Sequence, residues 1–170
     1  MARRHEKAKL AVAVIGTELV GAVSALAAGR HFGPFFDTLR KPPLTPPASL
    51  FGPVWASLYL LMGIAAWLVW RQDLDRQLGT ALGLYVAQLL LNALWSIIFF
   101  GQQRIGWALV EIVLLWLAIL ATIIAFWHGQ PLAAALLLPY LAWVGFAAYL
   151  NAAMVRLNPG SGAWNAVRAA

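Results

Sequence analysis

The chain has 170 residues, of which 62% are apolar and only 11% charged, with a formal net charge of +6. Soluble domains carry about 25% charged residues and disordered chains are less hydrophobic still, so both classes are excluded. There is no cysteine, which removes disulfide frameworks, thiolate nucleophiles and cysteine-ligated metal centres; in so apolar a chain the positive charge points to anionic lipid headgroups and away from nucleic acid.

A helix needs about 20 mostly apolar residues to cross a bilayer, and five windows qualify: 9–28, 52–71, 79–100, 105–127 and 132–156. They are apolar on every side, not at every second residue, which excludes a membrane β-barrel. The expectation is a multi-pass integral membrane protein, all-α, whose single domain is a bundle of five transmembrane helices.

The first window carries Glu18 near its middle and runs into Gly29-Arg30-His31, not into a small-residue cleavage motif, so it reads as a retained helix and not a signal peptide. An acid at that depth is costly, and Glu18 is expected to be either protonated or paired with a base from another helix or chain. Gly21, Ala25 and Gly29 form a ladder of small residues that permits close helix approach.

Residues 29–51 then make a connection far longer than the next three, a length typical of functional lids or of disordered segments. Pro42, Pro43, Pro46, Pro47 and Pro53 fall in and just beyond it, within KPPLTPPASLFGP. Proline fixes its own φ and restricts the residue before it, so a stiff, extended lid is expected. Ser49 is the expected N-cap of the second helix, with Pro53 in its first turn.

Three of the remaining windows carry a mixed aromatic and polar stripe at helical spacing. On the second it is Trp55, Tyr59 and Met62; on the third Gln88, Asn92, Trp95 and Phe99; on the fifth Tyr140, Trp143, Ala147 and Asn151. If these faces converge they line a pocket for a large, flat, mostly apolar ligand with polar edges. The plainer alternative is helix packing, with Gln88 and Asn151 hydrogen-bonding a neighbouring helix. Trp67, Trp70, Trp107, Trp127 and Trp164 lie near span ends and read as an interfacial belt. Glu111 follows Trp107 by one turn and reads as a solvated or snorkelling acid. Gly79 and Gly83 form a second small-residue ladder, suited to a dimer or to packing within the chain.

Orientation is undetermined by charge. Arg3, Arg4, Lys7, Lys9, Arg71 and Arg76 fall on one side, and Arg30, Arg40, Lys41, Arg104, Arg156 and Arg168 on the other, a tie under the positive-inside rule. The chain shows no phosphate loop, serine elbow or paired carboxylates. His5, His31 and His128 lie outside the spans and do not make a metal cluster by spacing. A haem contact by His31 or His128 is a weaker alternative to simple solvation. No catalytic residue, metal ligand or required cofactor is assigned.

The segments LRKPPLTPPASLFGPVWASLYLLMG, LGLYVAQLLLNALWSIIFFG and PYLAWVGFAAYLNAAMVRLN resemble the translocator protein family (TspO, the peripheral-type benzodiazepine receptor, or tryptophan-rich sensory protein). The likeness runs from about Phe35 to Asn158. It implies a five-helix bundle, commonly a homodimer, that binds tetrapyrroles such as porphyrin or haem, sterols and benzodiazepine-site ligands in a pocket under the first loop. The resemblance places Lys41-Pro42, Pro46, Pro47, Trp55, Asn92, Trp95, Trp143 and Ala147, followed by Leu150-Asn151, at the family's motif positions. With the stripe residues Tyr59, Gln88 and Phe99, the candidate ligand-binding set is Pro46, Pro47, Trp55, Tyr59, Gln88, Asn92, Trp95, Phe99, Trp143, Ala147 and Leu150. Where the family has Trp-Tyr before the loop this chain has Phe35-Phe36, and the expected loop tryptophan is Leu44. Both departures bear on lid contacts. A sterol-recognition pattern fails by one place, since Tyr149 is followed by a basic residue only at Arg156.

The leading expectation is a membrane receptor or carrier for porphyrin-like ligands. The alternatives are light- or oxygen-dependent breakdown of a bound porphyrin with Trp55 and Trp143 as electron donors, and a ligand-responsive regulator acting through a partner protein.

Overall fold

Each long apolar run forms a helix because a bilayer offers backbone N–H and C=O groups no partner but one another. In the computed structural model, which describes residues 2–29, 32–72 and 76–159, the elements are α1 (Ala2–Gly29), α2 (Phe32–Thr38), α3 (Ala48–Trp70), α4 (Arg76–Ser96), a π-helical turn (Ile97–Gly101), α5 (Ile105–Gly129), α6 (Pro131–Leu136) and α7 (Leu138–Leu157). Five stretches are long and apolar enough to cross a membrane: His5–Leu26, Ala48–Trp70, Gly79–Gly101, Ile105–Gly129 and Pro131–Leu157. The protein is therefore a multi-pass, five-span membrane protein. Arg30, His31, Trp164 and Arg168 lie outside the described residues.

Three departures from the predicted elements have local causes. The connection after α1 is not extended throughout, because Phe32–Thr38 closes a short helix that buries Phe35 and Phe36. The second span begins at Ala48, with extended Pro47 in the capping position and Ser49 already inside the first turn. Pro53 is thus the sixth helical residue, and its missing N–H leaves one helical acceptor unused. The fifth span is broken at Leu137, between α6 and α7. Pro139 explains the break, since its ring excludes the carbonyl four residues back.

The π turn was not legible in the sequence. The Gln102 N–H donates to the Ile97 carbonyl over 2.8 Å, five residues back, and Gln103 at φ 57° reverses the chain into α5. The wider turn brings Phe99 and Phe100 both inward, to 2% and 6% exposure.

α1 lies against α3 at two glycines. A Cβ at Gly63 would stand 2.7 Å from the Val14 Cα, and one at Gly21 would fall inside the Tyr59 ring. Gly21 of the first ladder therefore serves packing within the chain. A Cβ at Gly79 or Gly83 would meet nothing within 4 Å.

The two membrane faces are tied differently. On the face of the N-terminus, Glu6 pairs with Arg71 at 3.7 Å, Arg71 covers the Trp67 ring, and Lys9 covers Trp70. The opposite face carries α2, the proline loop, the α4–α5 turn and the end of α7. Trp107 and Trp127 are about half exposed near the ends of α5, as an interfacial belt requires.

Candidate ligand-binding site

The candidate site lies between α1, α3, α4 and α7, beneath α2. Two cavities meet there. The outer one, about 290 Å³, has small residues of α1 (Gly21, Ser24, Ala25) on one side and Phe51, Trp55 and Tyr59 of α3 on the other. The inner one, about 30 Å³, is lined by Phe36, Trp95, Phe99, Ala147, Leu150 and Met154, among others. Phe51 and Phe100 line both cavities and so form the partition between them.

Rings hold this chamber together. Phe35 meets Phe99 edge-on at 6.0 Å, Phe36 meets Phe51 at 6.1 Å, and Phe51 meets Trp143 at 6.0 Å. Trp95 lies 5.1 Å from Phe99, and Trp55 stacks on Tyr59 at 5.6 Å. Such contacts each contribute about 0.5–1.5 kcal/mol beyond burial, and both edge-to-face and offset-stacked arrangements are favourable. The rings can slide without breaking a bond.

Below the chamber the bonding changes character. The Tyr59 hydroxyl donates to Asn92 Oδ1, and Asn92 Nδ2 donates to the Tyr140 hydroxyl over 3.0 Å. Three helices are thus joined through one buried amide. At the wall of the inner cavity itself, Asn151 Nδ2 donates to the Ile105 carbonyl over 2.8 Å and its Oδ1 accepts from Trp95 Nε1 at 3.4 Å. On α1, Thr17 donates to the Ala13 carbonyl, which commits its only proton, so the 2.8 Å contact with Tyr85 is donated by the phenol.

The proline loop is fastened at its outer edge by Asn158. Its Oδ1 accepts from the Arg40 N–H at 3.0 Å while its Nδ2 donates to the Arg40 carbonyl at 3.0 Å. The side-chain amide thereby pairs with both backbone groups of one lid residue.

Comparison with known proteins bears directly on this arrangement. The TspO/MBR family model matches residues 11–157. The chain belongs to the TspO/MBR family. It is 45% identical over 128 residues to the Translocator protein of Homo sapiens, covering 74% of this chain and 76% of that one. It is 42% identical over 141 residues to the Tryptophan-rich protein TspO of Chlorobaculum tepidum, covering 78% and 87%. Protein CrtK of Rhodobacter capsulatus is 36% identical over 154 residues, covering 89% and 96%.

In this TspO/MBR chain the residues singled out from the sequence separate into four groups. Trp55 and Tyr59 line the outer cavity, while Trp95, Phe99, Ala147 and Leu150 line the inner one. Trp143 stands behind Phe51, with its indole N–H buried and without a hydrogen-bond partner among the described residues. Asn92 and Gln88 are fully buried and line neither of these cavities. Asn92 is the amide joining three helices, and Gln88, one turn earlier, has both polar atoms unpartnered among the described residues. Pro46 and Pro47 lead into α3, and Leu44 is 64% exposed, turned away from the chamber. Phe35 and Phe36, by contrast, reach into it.

Three contributors escaped sequence reasoning. Phe51 falls in the expected lid because the apolar window opens only at residue 52, Phe100 is turned inward only by the π turn, and Asn158 pairs across 118 residues of sequence. Glu111 is a correction of a different kind. Only 5% of it is exposed, and both carboxyl oxygens are covered and without a hydrogen-bond partner among the described residues, so it is not a solvated interfacial acid.

Proposed function

We propose that this protein is a membrane receptor or carrier that binds a porphyrin-like tetrapyrrole in the chamber beneath α2. The observation that carries the reading is the pair of ring-lined cavities that share Phe51 and Phe100 as wall residues. A flat aromatic ligand suits walls made of ring faces and of small residues, and the Ser24 and Tyr59 hydroxyls lie at its edge. Family membership supports the same ligand class through the resemblance described above.

Binding requires the partition to move. Pockets for ligands of this size hold about 300–1,000 Å³, whereas the inner cavity has room for little more than one water. Rotation of Phe51 and Phe100 joins the two spaces, and lifting of Phe36 with α2 enlarges the result. The hydrogen-bonded layer below stays in place and forms the floor.

Quenching of tryptophan fluorescence by protoporphyrin tests the assignment in full-length protein. Ala147→Leu fills the inner cavity and is expected to weaken binding about tenfold, the cost of about 1.4 kcal/mol of overpacking. Trp143→Phe removes the indole behind Phe51 and is expected to weaken it less. Unchanged affinity in both variants, each with normal thermal unfolding, would sink the chamber as the binding site.

A further inference from the structure

Glu111 plays no part in the chamber, yet it is an ionisable side chain within a membrane span, buried and unpartnered among the described residues. Such a group usually has a function. It forms part of the wall of a separate groove of about 370 Å³ between the end of α4 and the beginning of α5, lined also by Leu94, Ile98, Arg104, Trp107, Val110 and Leu114. Leu94, Trp107, Val110 and Leu114 are all well exposed in the span, so the groove opens towards the bilayer. Its natural occupant is a lipid.

The polar groups define which part of a lipid sits where. Arg104 is exposed in the α4–α5 turn, at the membrane surface, and Gln102 stands beside it on the groove. Glu111 is seven residues further on, about 10 Å deeper along a helix. Helical side chains lean towards the N-terminal end of their helix, so Glu111 leans back towards Arg104. A glycerophospholipid presents the matching order, an anionic phosphate at the surface and acyl-ester carbonyls a few ångströms below it. A carboxylic acid donates one hydrogen bond and an ester carbonyl accepts one. Both carboxyl oxygens are covered in the structure, so contact with a lipid in the groove requires the Glu111 side chain to turn towards it about its torsions.

We propose that this groove is a phospholipid site in which Arg104 holds the phosphate and the Glu111 carboxyl donates to an acyl-ester carbonyl. The apolar walls hold the upper part of one acyl chain.

Competition between two lipids tests this without altering the protein. Full-length protein in detergent is offered equal amounts of diester and diether phosphatidylglycerol of the same chain length, and the retained lipid is counted by native mass spectrometry. The diester is expected to be retained about three- to tenfold over the diether, the range that one hydrogen bond in a membrane gives. Glu111→Leu should bring the ratio to one, whereas Glu111→Gln, whose amide still donates, should keep part of it. Arg104→Gln should lower retention of both lipids alike. Equal retention by the unaltered protein overturns the proposal, as does a preference that survives Glu111→Leu or vanishes in Glu111→Gln. Retention unaffected by Arg104→Gln removes the phosphate contact.

Discussion

The chamber beneath α2 and the layer just below it both contain aromatic rings but are held by different forces. In the layer, Tyr59, Asn92 and Tyr140 are joined by directional hydrogen bonds inside a medium without water. In the chamber, Phe35, Phe36, Phe51 and Phe99 touch edge to face, with the Trp95–Asn151 hydrogen bond at the inner wall as the polar exception. A broken hydrogen bond strands two polar groups in hydrocarbon, whereas a displaced ring finds another apolar contact. One region is thereby fixed and the other is free to rearrange around a guest.

Three substitutions probe this contrast, in order of expected effect. Gly63→Val lies one turn from Tyr59, where α1 and α3 are closest; the Val14 backbone blocks the new Cβ. It is expected to cost about 3 kcal/mol, the upper range for overpacking, read as a large fall in unfolding temperature in detergent. Asn92→Leu removes both bonds of the central amide and should cost about 1–2 kcal/mol, since exchange among membrane partners recovers part of each bond. Asn158→Ala should leave the unfolding temperature nearly unchanged. Instead, hydrogen exchange at the Arg40 amide should quicken about fivefold, because that N–H loses its acceptor. The contrast fails if Asn158→Ala lowers the unfolding temperature as much as Asn92→Leu does.

The helical spans were legible because their signal is local. Twenty apolar residues in a row have few alternatives in water or lipid, and the stripes Gln88–Asn92–Trp95–Phe99 and Tyr140–Trp143–Ala147–Asn151 follow from helical geometry alone. Direction within a stripe was not legible. Asn92 and Trp95 share a face, yet one is bound by two tyrosines and the other lines a cavity. That division depends on which residues of α3 and α7 arrive opposite them. Likewise, nothing near Glu111 in the sequence distinguishes an acid that snorkels from one that is covered. The packing of α4 against α5 decides it.

Composition placed this chain in a bilayer, and the all-round apolarity of its five runs made it cross as helices. The other backbone arrangement that a bilayer permits, a closed barrel, needs an alternating pattern. The spacing of its few polar and aromatic residues fixed which helix faces carry them. Only the tertiary structure decided what each polar group does, since a hydrogen bond needs a partner within about 3 Å and those partners come from distant parts of the chain. The +6 charge and the sparse acids of the opening composition thus acquire separate meanings. Arg71 braces one membrane face through Glu6, Arg104 stands at the mouth of a bilayer-facing groove, and Glu111 lies covered beside it.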